Sequence, residues 1–173
     1  MDFELGDAVL AGLIGGAAMA VILYMGIAML PQQMKMNMFM LLGSMVLPVG
    51  AAAFLMGAMV HAGMSAVFGL VHTAAFSILD IDSSQAAWGL LFGLVHWAVV
   101  GMALGMLPLM HPRIRHGGPR LIAEAGDGSG SEELLDPPGF YALGYPVMTA
   151  LGFLMLHLVF GLIVGALYGA WAG

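Results

Sequence analysis

Four histidines, His61, His72, His96 and His157, lie inside long apolar stretches that contain no Asp, Glu, Lys or Arg. Imidazole carries protons near neutral pH and ligates haem and most transition metals. Any chemistry within these stretches must therefore involve those four side chains. His61 and His72 are about three helical turns apart and so share a helix face. With the span limits derived below, His61 and His157 fall near the midplane or in the inner half, and His72 and His96 in the outer half. Helical rise places His72 roughly 10 Å and His96 roughly 15 Å below the outer hairpin. Two levels of paired histidines, one ligand from each of two helices, is a pattern by which a bundle holds haem b. Glycines beside the histidines would leave space for a porphyrin. Propionates need donors, and Arg113, Arg115 and Arg120 all lie on the inner side while the outer side has no cation. A single inner haem on His61 and His157 is thus favoured over two. The plainer alternative is structural. A histidine in a tight helix contact donates to a neighbouring carbonyl or to the hydroxyl of Ser65, Thr73, Ser77 or Thr149. That reading needs no cofactor, and it is the default; a proton relay through the imidazoles is the third.

Methionine is the other abundance, at 17 residues. Met102, Met106 and Met110 recur every fourth residue and are followed by His111; Met25 and Met29 repeat the spacing. Thioethers suit Cu(I), and an MxxxM helix beside a GxxxG helix is similar to the copper-transporter pattern, although that family has three spans and arranges the motifs differently. The default is packing or lipid contact, for which methionine's flexibility suits it. The run Met34 to Met40 is expected to dip its thioethers into the membrane interface, with Lys35 snorkelling outward.

The elements that position these residues follow from composition. Of 173 residues, 61% are hydrophobic and 8% charged, against about 25% charged in soluble domains. This is the composition of a polytopic membrane protein. Four stretches, about 8–30, 51–79, 86–110 and 146–171, reach the roughly 20 apolar residues that a spanning helix needs. They predict an all-α, four-transmembrane-helix bundle forming a single transmembrane domain over 1–173. The segment 32–47, between Pro31 and Pro48, is too short to cross and reads as an interfacial or re-entrant helix. Residues 111–138, rich in Gly, Ser, Glu and Asp, read as a flexible loop. The acidic start lacks the basic n-region of a signal peptide, so the first stretch reads as a retained helix.

Small residues recur every fourth position on each span. The second span carries Ala53, Gly57, His61, Ser65, Gly69, Thr73 and Ser77; the third, Gly89, Gly93, Gly101 and Gly105 around Trp97. The last carries His157, Gly161, Gly165 and Gly169, and the first Ala8, Gly12, Gly16 and Ala20. Such stripes are where membrane helices meet, as in GxxxG packing. The stripe of span two is expected to face the glycine faces of spans three and four. Phe68-Gly-Leu-Val-His72 also recurs as Phe92-Gly-Leu-Val-His96, a short internal echo rather than an inverted repeat.

All the basic residues, Lys35, Arg113, Arg115 and Arg120, fall after spans one and three. The positive-inside rule then makes 31–50 and 111–138 cytoplasmic and puts both termini outside. Trp88 and Trp171, near the outer ends, fit interfacial anchoring. No P-loop, HExxH, GxSxG or dinucleotide fingerprint occurs, so no catalytic residue is assigned. The basic surface is too small for nucleic acid. A proton-coupled pump would need a mid-membrane carboxylate, which these spans lack.

Met40-Leu-Leu-Gly-Ser-Met45 and His157-Leu-Val-Phe-Gly-Leu-Ile-Val-Gly-Ala-Leu-Tyr-Gly169 resemble an uncharacterised family of small four-span prokaryotic membrane proteins. The resemblance covers nearly the whole layout and implies a prokaryotic plasma-membrane location. It supplies no catalytic residues, and the acidic stretch Glu124 to Asp136 stands outside it. The expected function is that of a non-enzymatic accessory or assembly subunit. Its partners would be the lipid bilayer and other membrane subunits or a second copy. A haem- or copper-binding redox subunit is the alternative, and a small-solute channel or permease the third.

Overall fold

The computed structural model describes residues 4–115 and 134–171. It has five α-helices: α1 (Leu5–Met29), α2 (Met38–Gly43), α3 (Ala51–Ile78), α4 (Gln85–Met106) and α5 (Val147–Trp171). Four of them, α4 being prolonged by a 3-10 turn at Leu107–Leu109, are long and apolar enough to cross a membrane. The chain is a multi-pass membrane protein built as a four-helix bundle. The central part of the loop expected to be flexible, residues 116–133, lies outside the described residues, as does Arg120.

Local chemistry sets the helix ends. Pro31 cannot continue α1, whose last cap bond runs from Leu30 N–H to Gly26 O at 2.8 Å. Asn37 caps α2, its Oδ1 accepting from Met40 N–H at 3.1 Å and from the Tyr24 hydroxyl at 2.9 Å. The α3 terminus turns at Asp80, which has φ 51°, and Ile81 N–H reaches back to Phe76 O at 2.8 Å. Ile81 packs with Phe76 at the same place, which completes a Schellman-type stop.

The spans form two close pairs, α1 on α3 and α4 on α5, joined where α1 meets α5. Consecutive in sequence, α3 and α4 scarcely touch. The small residues explain this. A Cβ on Gly69 would strike the backbone of Ala8 and Gly12, and one on Gly12 would strike Ser65 O and Gly69. On the other side, Gly89 and Gly161 face each other so closely that a Cβ on either would overlap the other's carbonyl. The α3 stripe is therefore covered by α1 and, at Ala53 and Gly57, by α2, and not by α4 and α5 as the stripes alone suggest. Gly89 and Gly93 of α4 and Gly161 and Gly165 of α5 each lie against the backbone of the other helix. Pro31 and Pro48 turn the intervening segment back beneath the first turns of α3.

That segment is not one helix over 32–47. Only Met38–Gly43 is helical, and the residues before it alternate. Met34 and Met36 are buried, whereas Lys35 and Asn37 are exposed. Instead of entering the interface, the Met34 thioether packs against Gly26 and Gly152. Thr149, buried at the start of α5, fixes the strand-like part. Its Oγ1 donates to Gln33 O at 2.8 Å and accepts Lys35 N–H at 3.0 Å. Thr149→Val keeps the shape but leaves both backbone groups unpaired, an expected loss of about 2 kcal/mol. Thermal unfolding in detergent should show it, with Thr149→Ser close to wild type; an unchanged T149V would mean that the segment is held otherwise.

The described ends of the long loop are also packed. Ile114 pairs with Leu135 in an isolated bridge, and Arg115 forms an exposed ion pair with Asp136 at 3.3 Å. The rings of Tyr141 and Phe140 lie over Gly101 and Gly105. Tyr145 donates its hydroxyl proton to Asp136 O at 3.0 Å. Burial, reinforced by the Asp136 carboxylate, pushes its phenol up to about 12.

Candidate functional site: a histidine-lined cavity between two spans

The separation of α3 from α4 leaves a cavity of about 230 Å³. All four spans and the α2 region contribute to its wall. His61, Met64, Ser65 and Phe68 come from α3, His96 and Val100 from α4, and Phe153, His157 and Phe160 from α5. Met36, Leu41 and Leu107 close the loop-side end. Of the lining residues on the two helices, Met64 on α3 and Ala103 on α4 are exposed, as is Met110 just beyond the end of α4. The mouth therefore lies between these two helices, on the surface that faces lipid.

Towards the α3–α4 turn the gap is shut by rings, and here the five-residue echo acquires a role. Phe68 of one copy stacks on His96 of the other, centroids 3.8 Å apart and 28° between planes. Reciprocally, His72 meets Phe92 edge-to-face at 6.1 Å. Phe76 stacks on Phe92 at 5.3 Å beyond them. The glycine in each copy seats the neighbouring span: Gly69 against Ala8 and Gly12 of α1, Gly93 against the His157 carbonyl of α5. Two copies on antiparallel helices thus do equivalent work, each placing a glycine on its own partner helix and an aromatic pair across the gap.

The histidines do not form two separate levels. His96 touches His157 edge-to-face at 4.8 Å and His72 at 5.5 Å, giving a continuous run of three rings. Glycine contact draws α4 onto α5 and hence His96 onto His157. His61 is held instead by the α1 pairing, its Nε2 lying 3.0 Å from Gly16 O. A carbonyl only accepts, so in the neutral ring this Nε2 carries the proton and Nδ1 the lone pair. In His157 the assignment reverses: Nδ1–H donates to Phe153 O at 2.7 Å, which leaves Nε2 as the lone-pair nitrogen. Tying one ring nitrogen to a carbonyl is how proteins orient a ligating imidazole. The Nδ1 atoms of His72 and His96 are buried with no hydrogen-bond partner among the described residues.

The hydroxyls offered as histidine partners are used elsewhere. Ser65, Thr73 and Ser77 each donate to the carbonyl four residues earlier in their own helix, at 2.7, 3.0 and 3.3 Å. Thr149 is taken by residues 33 and 35. Met102, Met106 and Met110 are exposed, and Met110 alone of them borders the cavity. The thioethers that do line it, including Met19, Met36, Met38 and Met64, do not share one helical stripe, so spacing could not single them out. Among the described residues, no three His, Asp or Glu side chains converge as a metal site would require. The two described arginines offered to an inner haem are engaged too: Arg113 Nη1 donates to Ser44 O at 2.9 Å, and Arg115 pairs with Asp136.

Comparison with protein-family models, with curated proteins and with solved structures finds no match to this chain.

Proposed function

We propose that this chain is a non-enzymatic integral membrane protein, an accessory or assembly subunit that acts by holding another component within the bilayer. One observation carries the reading. Only 17% of the apolar windows of α3 and α4 is buried, against 39% for α1 and α5. Half of the bundle is thus a frame, and the other half presents its surface outward. On that outward surface sits Gly63, with no atom of the described residues within 4 Å of where a Cβ would be. Glycine costs a helix about 1 kcal/mol relative to alanine, and lipid alone does not require it, whereas a close-packed neighbouring helix does. The cytoplasmic placement of 31–50 and 111–138, with both termini outside in a prokaryotic plasma membrane, belongs to the same reading and rests on the distribution of basic residues.

Purification in mild detergent tests it. The expected result is a particle heavier than one 18.0 kDa chain plus detergent, containing a second copy or a co-purifying membrane protein. Gly63→Leu should reduce that association without lowering the thermal stability of the chain itself. A strictly monomeric particle with no companion would defeat the proposal.

A redox subunit is the second reading, favoured by the lone-pair nitrogens of His61 and His157. A porphyrin plane cannot pass between His96 and His157, whose rings are already in contact, so His61 and His157 are the pair to consider for haem. An absorption spectrum with no Soret band and elemental analysis showing no copper or iron would end this reading.

A further inference from the structure

The cavity combines an apolar wall, an entrance on the lipid side and imidazole nitrogens that nothing in the described chain satisfies. Of its four polar lining residues, Ser65 spends its proton on His61 O and His61 its own on Gly16 O. His157 keeps an unprotonated Nε2, and His96 makes no hydrogen bond with any described residue. Removing polar nitrogens from water without partners is costly, and more so within a bilayer. A molecule that fills the cavity and hydrogen-bonds these rings would relieve that cost.

Size and shape narrow the class. A cavity of roughly 150 Å³ lined by apolar side chains takes up benzene; this one, at about 230 Å³, has room for a substituted six-membered ring. Phe68, Phe153 and Phe160 offer flat faces and edges to such a ring. A plain acyl chain would fill the volume and leave the imidazoles unpaired. The geometry points to a binding site for a membrane-soluble ring compound bearing a hydrogen-bonding oxygen, of the quinone or phenol class. The compound enters between Met64 and Ala103 and sets its oxygen against His96 and His157. A phenolic hydroxyl donates to His157 Nε2, while a quinone carbonyl accepts from the N–H of His96. This inference does not depend on the accessory-subunit reading, since a monomer offers the same cavity.

The test uses the full chain in detergent with a photoreactive azidobenzoquinone carrying a short alkyl tail. Peptides containing Met64, Phe68 and Phe160 should become labelled. Excess unmodified quinone should suppress the labelling; an alkanol with the same tail should not. Ala103→Trp, which plugs the mouth with a side chain on an exposed position, should cut labelling at least tenfold. Ala87→Trp, exposed on the same helix away from the cavity, should not change it. His157→Phe should weaken competition by the matching hydroquinone, whose hydroxyl donates to Nε2, about tenfold, the equivalent of one good hydrogen bond. Should H157F fail to fold, A103W and the alkanol control still decide. Label spread over the outer surface of α4, equal competition by the alkanol, or full labelling of A103W would each overturn the assignment.

Discussion

Gly161→Leu is expected to separate α4 from α5 and to abolish the folded bundle, or to destabilise it by at least about 3 kcal/mol, the upper end of ordinary overpacking. A Cβ at residue 161 would overlap the backbone carbonyl of Gly89 and crowd the backbone nitrogen of Gly93 at 2.9 Å. Neither is the end of a flexible side chain, so relief requires the helix axes to move apart. Moving them apart also pulls His96 from His157 and opens the ring closure above the cavity. Gly89→Leu should behave alike, because the overlap is mutual. The contrast is Gly63→Leu, which meets open space and replaces a poor helix former with a good one. Thermal unfolding of the three variants in one detergent would decide. A G161L protein as stable as G63L would mean that α4 and α5 do not approach at these glycines.

How far the sequence discloses this arrangement depends on what kind of signal each part leaves. The four spans are legible because uninterrupted apolar length is all that membrane crossing requires, and the helix limits fall within a few residues of the apolar runs. Pairing is less so. Small residues every fourth position mark faces that approach another backbone, yet Gly69 and Gly93 look alike in sequence while one seats α1 and the other α5. The choice is made by complementarity along the whole pair, which a single stripe does not encode. Residues 31–50 leave the weakest signal. Pro31 and Pro48 signal that the chain stops and turns, but their period-two burial covers too few residues to stand out from a methionine-rich run. The histidines are legible by type, since an ionisable group in an apolar helix is conspicuous. Their grouping is not, because it depends on which glycine pairs set the helix depths and rotations. His111 left no sequence signal of its role: it follows a methionine stripe at a helix end and looks like a solvated loop residue.

His111→Ala should loosen the loop-side end of the bundle while sparing the rest. The imidazole is 1% exposed, and its two nitrogens bridge segments that are otherwise far apart in sequence. Nδ1 accepts the N–H of Arg113 at 3.1 Å, so in the neutral ring Nε2 carries the proton and donates to Leu41 O at 2.9 Å. The Ser44 hydroxyl lies 3.4 Å from the same Nε2, and the Arg113 guanidinium reaches Ser44 O. Alanine would remove one donor and one acceptor, leave a void, and expose α2 and the turn after α4 to separate movement. The expected loss is about 3 kcal/mol, from the unpaired Arg113 N–H, the loss of the shorter of two bonds to Leu41 O (the Ser44 hydroxyl keeps the other at 3.4 Å) and the vacated volume. His111→Phe restores most of the volume but neither hydrogen bond, so it should recover only a minor share of that loss. Hydrogen exchange gives the local readout. Amides of residues 38–46 should exchange faster in both variants, because they lose the clamp that ties them to the α4 end. Amides where α4 crosses α5 near Gly89 and Gly161 should be unchanged. If exchange rose equally throughout, His111 would be acting on global stability and not as the fastener of the cavity's loop-side wall, to which Leu41 and Leu107 both belong.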